Sequence, residues 1–443
     1  MDMPLDTTVG LALLASLIAL LITSLLFALR SSRRAVHLSP ALRRLAKPVV
    51  LLQSQIVDGK HFPLTLSPVD ANAGPAARIA LACTFRQEIL TLVRTHGAVL
   101  LRGWNQSSAP TAAHFSELIA MLELPVTAME CSAGPRFPVA PNVFTANEAP
   151  PAERIPFHHE MAQCDAPPSV VGFFCEVAAP HGGATPLLHS HLAAAYLRKH
   201  HPAAAARLKA VGVTYVRIMP PVTDPSSALG KSWRHSLRVE TREQAEVALA
   251  ALGSTWEWLP GEMLRTVTKP MAAMLTEARG GREVFFTAAE STFNQVADEA
   301  EGAAAEAGGG ATEVAAAPLR PLKAITYGDG TPLDAATKAA LRDVSAFMER
   351  AQVAVPWQPG DALLIDNATV QHSREDFTPP RRILASLVGS LSKSEAGELH
   401  EASDHTPKLC PVAISPSSTM DQINHAQLRA LPRGDAFTLA RAS

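Results

Sequence analysis

The spacing of apolar residues predicts several amphipathic helices. Between residues 76 and 95, large apolar side chains recur every three or four positions, among them Ile79, Phe85, Ile89 and Leu92. This spacing places them on one face of a helix. Helices are also predicted over residues 114–124, 192–211 and 335–354 and, alternating with polar stretches, over 241–252 and 260–279. Asp334 directly precedes one of these segments and is a suitable N-cap.

Shorter apolar runs that end at glycine, proline or polar residues predict strands. They lie at residues 97–103, 169–177, 213–219, 284–286, 362–366 and 383–391. Short strands, Gly/Pro turns and separate helical insertions indicate an α+β protein with a β-sandwich or jelly-roll core. Periodicity alone does not fix the order of the strands.

Residues 9–29 contain no charged side chain, and as a helix they would span about 30 Å, enough to cross a bilayer. Asp2 and Asp6 precede this run, whereas Arg30, Arg33 and Arg34 follow it. The positive-inside rule then predicts a single-pass membrane protein whose catalytic part faces the cytoplasm. A cleaved signal or targeting segment and a buried soluble helix are the alternatives, although the basic start of a signal peptide is missing.

Changes in composition divide the rest of the chain. Residues 1–30 are the expected anchor, 31–74 a basic and then proline-containing linker, and 75–395 one folded domain. Within that domain, residues 297–318 consist almost entirely of Ala, Glu and Gly, which is typical of a disordered surface insertion. Beyond residue 395 the pattern dissolves, so 396–443 is expected to be a partly ordered tail.

Composition excludes some classes of partner. The net charge is −2 with 47% hydrophobic residues, which gives no electrostatic reason to expect nucleic acid as a partner. The five cysteines form no CxxC pair, and an odd, unpatterned set argues against a disulfide framework.

Two imidazoles and one carboxylate indicate a metal site. In an extended segment, residues i and i+2 share a face, so His158 and Glu160 can approach one metal while His159 points away. His372 follows the strand-like run 360–367 and supplies the second imidazole. Two His and one carboxylate leave coordination positions open for a substrate and O₂, as in non-haem Fe(II) oxygenases.

An arginine downstream of His372 suits a co-substrate that carries a carboxylate, because guanidinium matches carboxylate in a bidentate manner. Arg381 and Arg382 lie side by side at the start of a predicted strand, so only one of them should face inward. Thr185 follows a Gly-Gly pair and can bring a hydroxyl near the same carboxylate, although such a sequence is more often a plain turn. The chain is therefore interpreted as a 2-oxoglutarate-dependent oxygenase.

The same residues resemble the taurine dioxygenase / clavaminate synthase-like family of Fe(II)/2-oxoglutarate oxygenases over roughly residues 75–395. The matching segments, in family order, are Gly-Ala-Val-Leu-Leu-Arg-Gly (97–103), Phe-Thr-Ala-Asn-Glu (144–148), Phe-His-His-Glu-Met (157–161), Gly-Gly-Ala-Thr-Pro (182–186), Tyr-Gly-Asp-Gly (327–330), Pro-Trp-Gln-Pro-Gly-Asp (356–361), Asp-Asn (366–367), His-Ser-Arg (372–374) and Arg-Arg-Ile-Leu (381–384). The form at 157–161 is most similar to plant-type clavaminate synthase-like proteins.

The resemblance implies a double-stranded β-helix core with Fe(II) held by His158, Glu160 and His372. It further implies that Arg382 binds the distal carboxylate of 2-oxoglutarate with help from Thr185, that O₂ is consumed, and that a small organic substrate is oxidised. Glu160 at the carboxylate position disfavours halogenation, which leaves hydroxylation as the default outcome, with desaturation and ring closure as alternatives.

Two other functions use the same residues differently. One is a membrane-anchored binding or scaffold protein with a degenerate oxygenase fold, which the complete set of ligands and the arginine argue against. The other is a zinc-dependent hydrolase or isomerase, because His₂Glu is also a hydrolytic zinc set; however, the chain has no HExxH helix. Dependence on 2-oxoglutarate separates all three.

Overall fold

The structure is a computed structural model, and it describes residues 36–104, 109–127, 136–147, 149–224, 230–277, 279–288 and 322–391. The predicted anchor at 9–29, the insertion at 297–318 and the tail at 396–443 lie outside these residues. None of the helices in the described part of the chain combines the length and the apolar character that crossing a bilayer requires.

Strands and helices are mixed along the chain. The strands are β1 (Ala46–Val49), β2 (Gln55–Val57), β3 (Lys60–Phe62), β4 (Leu64–Pro68), β5 (Ala98–Leu101), β6 (Pro138–Ala140), β7 (Val143–Thr145), β8 (Ile155–His158), β9 (Val170–Val177), β10 (His181–Gly182), β11 (Leu187–His189), β12 (Val213–Met219), β13 (Thr255–Leu259), β14 (Met263–Val267), β15 (Met274–Thr276), β16 (Glu283–Phe285), β17 (Leu322–Tyr327), β18 (Ala362–Asp366), β19 (Val370–Arg374), β20 (Phe377–Thr378) and β21 (Arg382–Val388). The helices are α1 (Leu42–Leu45), α2 (Pro75–Thr84), α3 (Arg86–His96), α4 (Ala112–Met121), α5 (Ser190–His200), α6 (Pro202–Val211), α7 (Trp233–Leu237), α8 (Arg242–Ala251) and α9 (Ala335–Ala351).

Two sheets form the core. The larger has eight strands in the order β1-β4-β5-β18-β9-β21-β7-β6, and the smaller has three in the order β11-β19-β8. An apolar cluster lies between them, with Phe173 and Ile383 from the larger sheet and Leu187 and Val370 from the smaller one. Two sheets that enclose one core in this way form the expected jelly roll.

Helices cover the other face of the larger sheet. Ile89 of α3 and Phe115 of α4 belong to one buried cluster with Leu364 of β18. The strands of this sheet are therefore buried on both faces, which explains why β9 and β18 read as continuous apolar runs rather than alternating ones. A separate four-stranded sheet, in the order β13-β14-β12-β17, lies among the insertions between β12 and α9.

Most of the predicted elements are present. The strand expected at 213–219 is β12, and Asp334 caps α9 by accepting a hydrogen bond from the main-chain N–H of Thr337. The single helix expected over 76–95 is two helices that meet at Phe85. Of the helical stretches expected within 260–279, only a single 3₁₀ turn at Pro260–Glu262 is present in the described residues, and β14 and β15 follow it.

The linker expected over residues 31–74 is contradicted in its described part. Residues 36–74 contain α1 and β1 to β4, and Leu38, Leu42, Leu64 and Leu66 are buried in the core. β4 pairs in parallel with β5 and in an antiparallel manner with β1, so this segment completes one edge of the larger sheet. The folded domain therefore begins before residue 75.

The cysteines also differ in part from expectation. Cys164 and Cys175 are buried and form no disulfide, as an unpatterned set predicts, whereas Cys83 is disulfide-bonded.

Candidate metal and co-substrate site

The two predicted imidazoles are cross-strand neighbours. His158 ends β8, and it lies directly opposite His372 of β19 in the antiparallel register of the smaller sheet. Their ring centroids are 4.4 Å apart. Facing residues of an antiparallel pair project to the same side, so the pairing brings together two residues that are far apart in sequence.

Glu160 lies two residues after His158 and completes the cluster. One nitrogen from each imidazole and one carboxylate oxygen all lie within 4.8 Å of one another, and no other such group of three occurs among the residues that the structure describes. The nearest carboxylate oxygen, Glu160 Oε2, is 3.7 Å from His372 Nε2. The structure thus brings together all three residues that the sequence predicted.

The protonation states of His158 and Glu160 suit metal binding. Desolvation in the cavity wall and the nearby His372 lower the pKa of His158 to about 4, so its imidazole is neutral at pH 7. Its Nδ1–H donates to the carbonyl of Pro156 at 2.8 Å, which leaves Nε2 as the lone-pair nitrogen. Burial opposes ionisation of Glu160, but Arg136 and His372 outweigh it and hold the pKa of this carboxyl well below its usual range. The neutral imidazole of His158 and the ionised carboxylate of Glu160, together with the imidazole of His372, fit Fe(II) in the 2-His-1-carboxylate arrangement.

His159 points away from the cluster, as the alternation of side chains in an extended segment predicts. Its Nδ1–H donates to the carbonyl of Asn367 at 2.6 Å, and its Nε2 lies 2.6 Å from the hydroxyl of Ser190. The ring stacks on Phe286 at a centroid distance of 4.3 Å. Burial lowers the pKa of His159 to about 3, so this residue is a neutral structural histidine.

The cluster opens into one cavity of about 110 Å³. Thr185, Arg381 and Phe173 line this cavity together with the three clustered residues. Thr185 is buried, and its hydroxyl accepts a hydrogen bond from the indole N–H of Trp357 at 3.1 Å. Thr185 therefore lines the same cavity as His158, Glu160 and His372.

The prediction for Arg382 is contradicted by its position. Its side chain is 54% exposed and forms an ion pair with Glu176 at 2.8 Å, away from the cavity. Arg381 lines the cavity instead, one residue earlier, and its Nε–H donates to the carbonyl of Gly183 at 2.9 Å. Arg381 and Ile383 share the inward face of the chain at the start of β21, so Arg382 has to face outward.

The Gly-Gly pair before Thr185 leaves room for Arg381. Gly183 has φ +70°, and a Cβ on it would lie 2.9 Å from Cδ and 3.0 Å from Nε of Arg381. Gly182 has φ +67°, and a Cβ on it would clash with the carbonyl oxygen of Asp376. Both the positive φ values and the close packing therefore require glycine at these positions.

Three further residues of the site were not assigned a role from the sequence. Arg374 is buried and donates to the carbonyls of Asn147, Ala149, Pro150 and Glu153, so it fixes one wall of the cavity. The amide of Asn367 bonds to the main chain of Glu160, and Arg136 forms an ion pair with the Glu160 carboxylate. Arg374 and Asn367 stand within the recognised motifs, but Arg136 has no such signal.

Asn147 also lines the cavity, whereas Phe286 is not among the lining residues and stacks on His159.

Comparison with known proteins identifies the family. Residues 71–388 match the model of the taurine catabolism dioxygenase TauD, TfdA family. A clavaminate synthase-like protein of Arabidopsis thaliana is 36% identical over 343 residues, which is 76% of this chain and 96% of the plant protein. The dapdiamide synthesis protein DdaC of Enterobacter agglomerans is 24% identical over 69% of this chain and 85% of its own length.

A solved structure, the PvcB protein of Pseudomonas aeruginosa, aligns with a TM-score of 0.44 and 16% identity over 82% of this chain and 98% of its own. The family model covers well over half of this chain, and the plant relative is aligned over almost its entire length. Members of the family use Fe(II), 2-oxoglutarate and O₂. The chain therefore belongs to the TauD, TfdA family and is a non-haem Fe(II)/2-oxoglutarate-dependent dioxygenase.

Proposed function

We propose that this dioxygenase hydroxylates a C–H bond of a small organic substrate, with His158, Glu160 and His372 as its iron ligands. In the overall reaction, one oxygen atom of O₂ becomes the new hydroxyl group and the other enters succinate as 2-oxoglutarate loses CO₂. The observation that carries this proposal is the convergence of the three side chains within 4.8 Å in the wall of one cavity.

The chain's own residues set the chemistry of the site. Iron(II), when bound, supplies the chemistry that couples decarboxylation of 2-oxoglutarate to oxidation of the substrate by O₂. Three protein ligands on one side leave the remaining positions to ligands from the cavity. Because Glu160 supplies a carboxylate, no ligand position is left for a halide in its place, and hydroxylation is the expected outcome.

Arg381 is proposed to bind the distal carboxylate of 2-oxoglutarate, with Thr185 beside it. A guanidinium stays charged at pH 7 even though burial lowers the pKa of Arg381 to about 10. Its Nε is already fixed by the carbonyl of Gly183 and its guanidinium lies 5.2 Å from the ring of Phe377, so the group is held in place before the co-substrate arrives. A charged donor in a largely buried wall gives a stronger hydrogen bond than the same donor in water.

The scaffold and zinc alternatives make different predictions. A degenerate binding protein has no reason to retain a complete ligand cluster and a buried arginine in one cavity. A zinc hydrolase has no need for 2-oxoglutarate.

The decisive experiment is anaerobic titration of the purified full-length protein with Fe(II) and then 2-oxoglutarate. We expect the visible charge-transfer band of a chelated Fe(II)–keto acid complex in the wild-type protein and its loss in Glu160→Ala. Wild-type protein that is folded and loaded with iron but gives no band would contradict the proposed site and favour the zinc or scaffold function.

We also propose that residues 9–29 anchor the chain in a bilayer with the catalytic domain on the cytoplasmic side. The support is the uncharged run and the arginines that follow it. Alkaline carbonate extraction should leave the full-length chain in the membrane pellet and release a variant without residues 1–35. Release of the full-length chain by carbonate would contradict the anchor.

A further inference from the structure

Large apolar side chains are exposed along one edge of the larger sheet, in residues 43–56, the edge segment. Leu45 precedes β1, Val50 and Leu52 follow it, and Ile56 lies in β2; their exposed fractions are 46%, 54%, 96% and 38%. Exposed apolar residues that occur singly are ordinary, whereas several within one short stretch indicate a surface that a partner covers.

The edge segment is also basic. Arg43, Arg44 and Lys47 are exposed, and no Asp or Glu occurs between residues 36 and 57. The next acid along the chain, Asp58, already forms an ion pair with an arginine. Exposed leucine and valine beside arginine and lysine are complementary to the interface of an anionic bilayer, where apolar side chains enter the acyl boundary and cations meet phosphate.

The chain enters the folded domain beside the edge segment. Arg43 Nη2 donates to the carbonyl of Val36 at 3.4 Å. The main-chain N–H and the hydroxyl of Ser39 both donate to one carboxylate of α3 at 2.7 Å, so this entry point is fixed. Only residues 30–35 separate it from the uncharged run 9–29, and fully extended they span about 20 Å. An anchor at 9–29 therefore keeps the edge segment within reach of the bilayer surface.

A further protein strand is a poorer occupant of this edge. β1 is the outermost strand of the larger sheet and pairs only with β4 among the residues that the structure describes. Its sequence is Ala-Lys-Pro-Val. Proline cannot donate the hydrogen bond that another strand requires, and lysine at an edge opposes strand pairing. Contact through side chains, as a bilayer surface offers, is compatible with this sequence.

We infer that the edge segment docks on an anionic bilayer surface, with Val50 and Leu52 in the lipid interface and Arg43, Arg44 and Lys47 on the phosphate groups. This inference rests on the anchor proposed above, which brings the segment to the membrane. It goes beyond that anchor, because docking fixes the orientation of the catalytic domain on the bilayer instead of leaving it on a flexible tether.

Docking also brings the rim of the iron cavity close to the bilayer. Gln55, at the start of β2, donates to the carbonyl of Gln352 at the end of α9 at 3.3 Å. One turn earlier in α9, Glu349 pairs at 3.0 Å with Arg154, which lines the cavity. The edge segment and the cavity rim therefore meet at the same end of one helix.

The test uses the full-length protein in vesicles of phosphatidylcholine and phosphatidylserine, prepared with and without lipids that are brominated along the acyl chain. Bromine quenches tryptophan fluorescence only when the indole lies in the lipid. Leu52→Trp reports on the edge segment. Val247→Trp is the matched control, because Val247 is a 71% exposed apolar residue of α8, outside the edge segment. The wild-type protein gives the background from its own tryptophans.

We expect bromine quenching of Leu52→Trp above the wild-type background and none beyond it in Val247→Trp. Changing the three basic residues of the edge segment to Gln in the Leu52→Trp protein should weaken docking by about 100-fold, because each cation contributes about fivefold to binding at an anionic surface. Removing three exposed charges elsewhere, with Lys199→Gln, Arg238→Gln and Lys338→Gln, should leave the quenching in place.

Docking and anchoring fail in different ways. Leu52→Trp that stays with the vesicles in alkaline carbonate but shows only background quenching would overturn docking and keep the anchor. Quenching above background in a protein that carbonate then releases would support docking and contradict the anchor. Protein that does not sediment with vesicles would overturn both. Equal quenching of Leu52→Trp and Val247→Trp, or quenching that is unchanged without the three basic residues, would overturn the docking surface.

Discussion

The side-chain amide of Asn367 forms hydrogen bonds with both the main-chain N–H and the main-chain carbonyl of Glu160. Asn367 Oδ1 accepts from the N–H of Glu160, and Asn367 Nδ2 donates to the carbonyl of Glu160, both at 2.9 Å. Nδ2 also donates to the carbonyl of Pro168, and the carbonyl of Asn367 accepts from His159. One fully buried residue thus fixes the segment that carries two of the three proposed ligands.

Replacing Asn367 should therefore weaken metal binding. Asn367→Ala leaves the N–H and the carbonyl of Glu160 without partners, and we expect a loss of about 10- to 100-fold in affinity for Mn(II), the usual effect of removing such a supporting residue. Asn367→Asp should be nearly as damaging, because it places a carboxylate oxygen opposite two carbonyls. Titration followed by electron paramagnetic resonance measures the affinity.

The control for this prediction is Asn147→Ala. Asn147 also lines the cavity, but among the described residues its side chain accepts a hydrogen bond from the main-chain N–H of Ala149 and none from Glu160. Equal losses of Mn(II) affinity in the two alanine variants would show that Asn367 has no special role in positioning Glu160.

Separate replacement of Arg381 and Arg382 tests which of these two arginines binds 2-oxoglutarate. Arg381→Gln should raise the dissociation constant of 2-oxoglutarate by about 10- to 100-fold, because it removes a charge-assisted pair worth about 1.5–3 kcal/mol. Arg382→Gln should change it by less than about threefold, since exposed ion pairs such as Arg382–Glu176 contribute about 0–1 kcal/mol. Anaerobic titration of the Fe(II)–keto acid band gives both constants, and a larger effect in Arg382→Gln would restore the original assignment.

The sequence could not decide between Arg381 and Arg382 for a physical reason. Along β21, Ile383 belongs to the cluster between the sheets, while Leu384 belongs to the cluster under the helices. Because both faces are buried, the strand reads as a continuous apolar run without the alternation that would reveal which arginine faces the cavity. His158 and Glu160 were predictable because their i, i+2 relation is independent of that ambiguity.

Arg136 and the edge strands were missed for different reasons. Arg136 lies 24 residues from Glu160, and no spacing rule links the two. β1 and β4 lie among prolines, which mark turns and edges as readily as linkers, and they become strands through pairing with β5 and each other. Tertiary contacts that are remote in sequence therefore account for most of what the pattern did not predict.

Close packing between Gly183 and Arg381 predicts a selective defect. A methyl group at position 183 would approach Arg381 Cδ at 2.9 Å and Phe377 Cβ at 3.0 Å, so Gly183→Ala has to displace the arginine. We expect a rise of about tenfold in the KM for 2-oxoglutarate with little change in Mn(II) affinity, since the guanidinium moves but the ligand cluster does not.

The Gly281→Ala variant is the control for this prediction, because it introduces backbone strain without displacing Arg381. Gly281 has φ +65°, close to the +70° of Gly183, but a Cβ there meets nothing within 4 Å. This variant should lose some stability because of its positive φ and keep its KM for 2-oxoglutarate. A matching rise in the KM of both variants would mean that strain, rather than contact with Arg381, causes the defect.

Because burial lowers the pKa of His189, we expect the metal-free protein to lose stability in acid. Burial and the neighbouring His191 lower the pKa of His189 from 6.5 to about 3, so the folded state resists protonation that the unfolded state accepts. As the pH falls below 6.5, the unfolded state gains the proton first, and the free energy of unfolding decreases until the pH reaches about 3. Between about pH 6.5 and about pH 4.5 this residue should account for a loss of about 2 kcal/mol in the free energy of unfolding, at about 1.4 kcal/mol for each pH unit.

Denaturant unfolding of the wild-type protein and of His189→Gln measures the difference, because the variant lacks this titration and should lose correspondingly less stability. Equal losses in the two proteins would assign the acid sensitivity to other groups, such as His159, whose pKa burial also lowers to about 3.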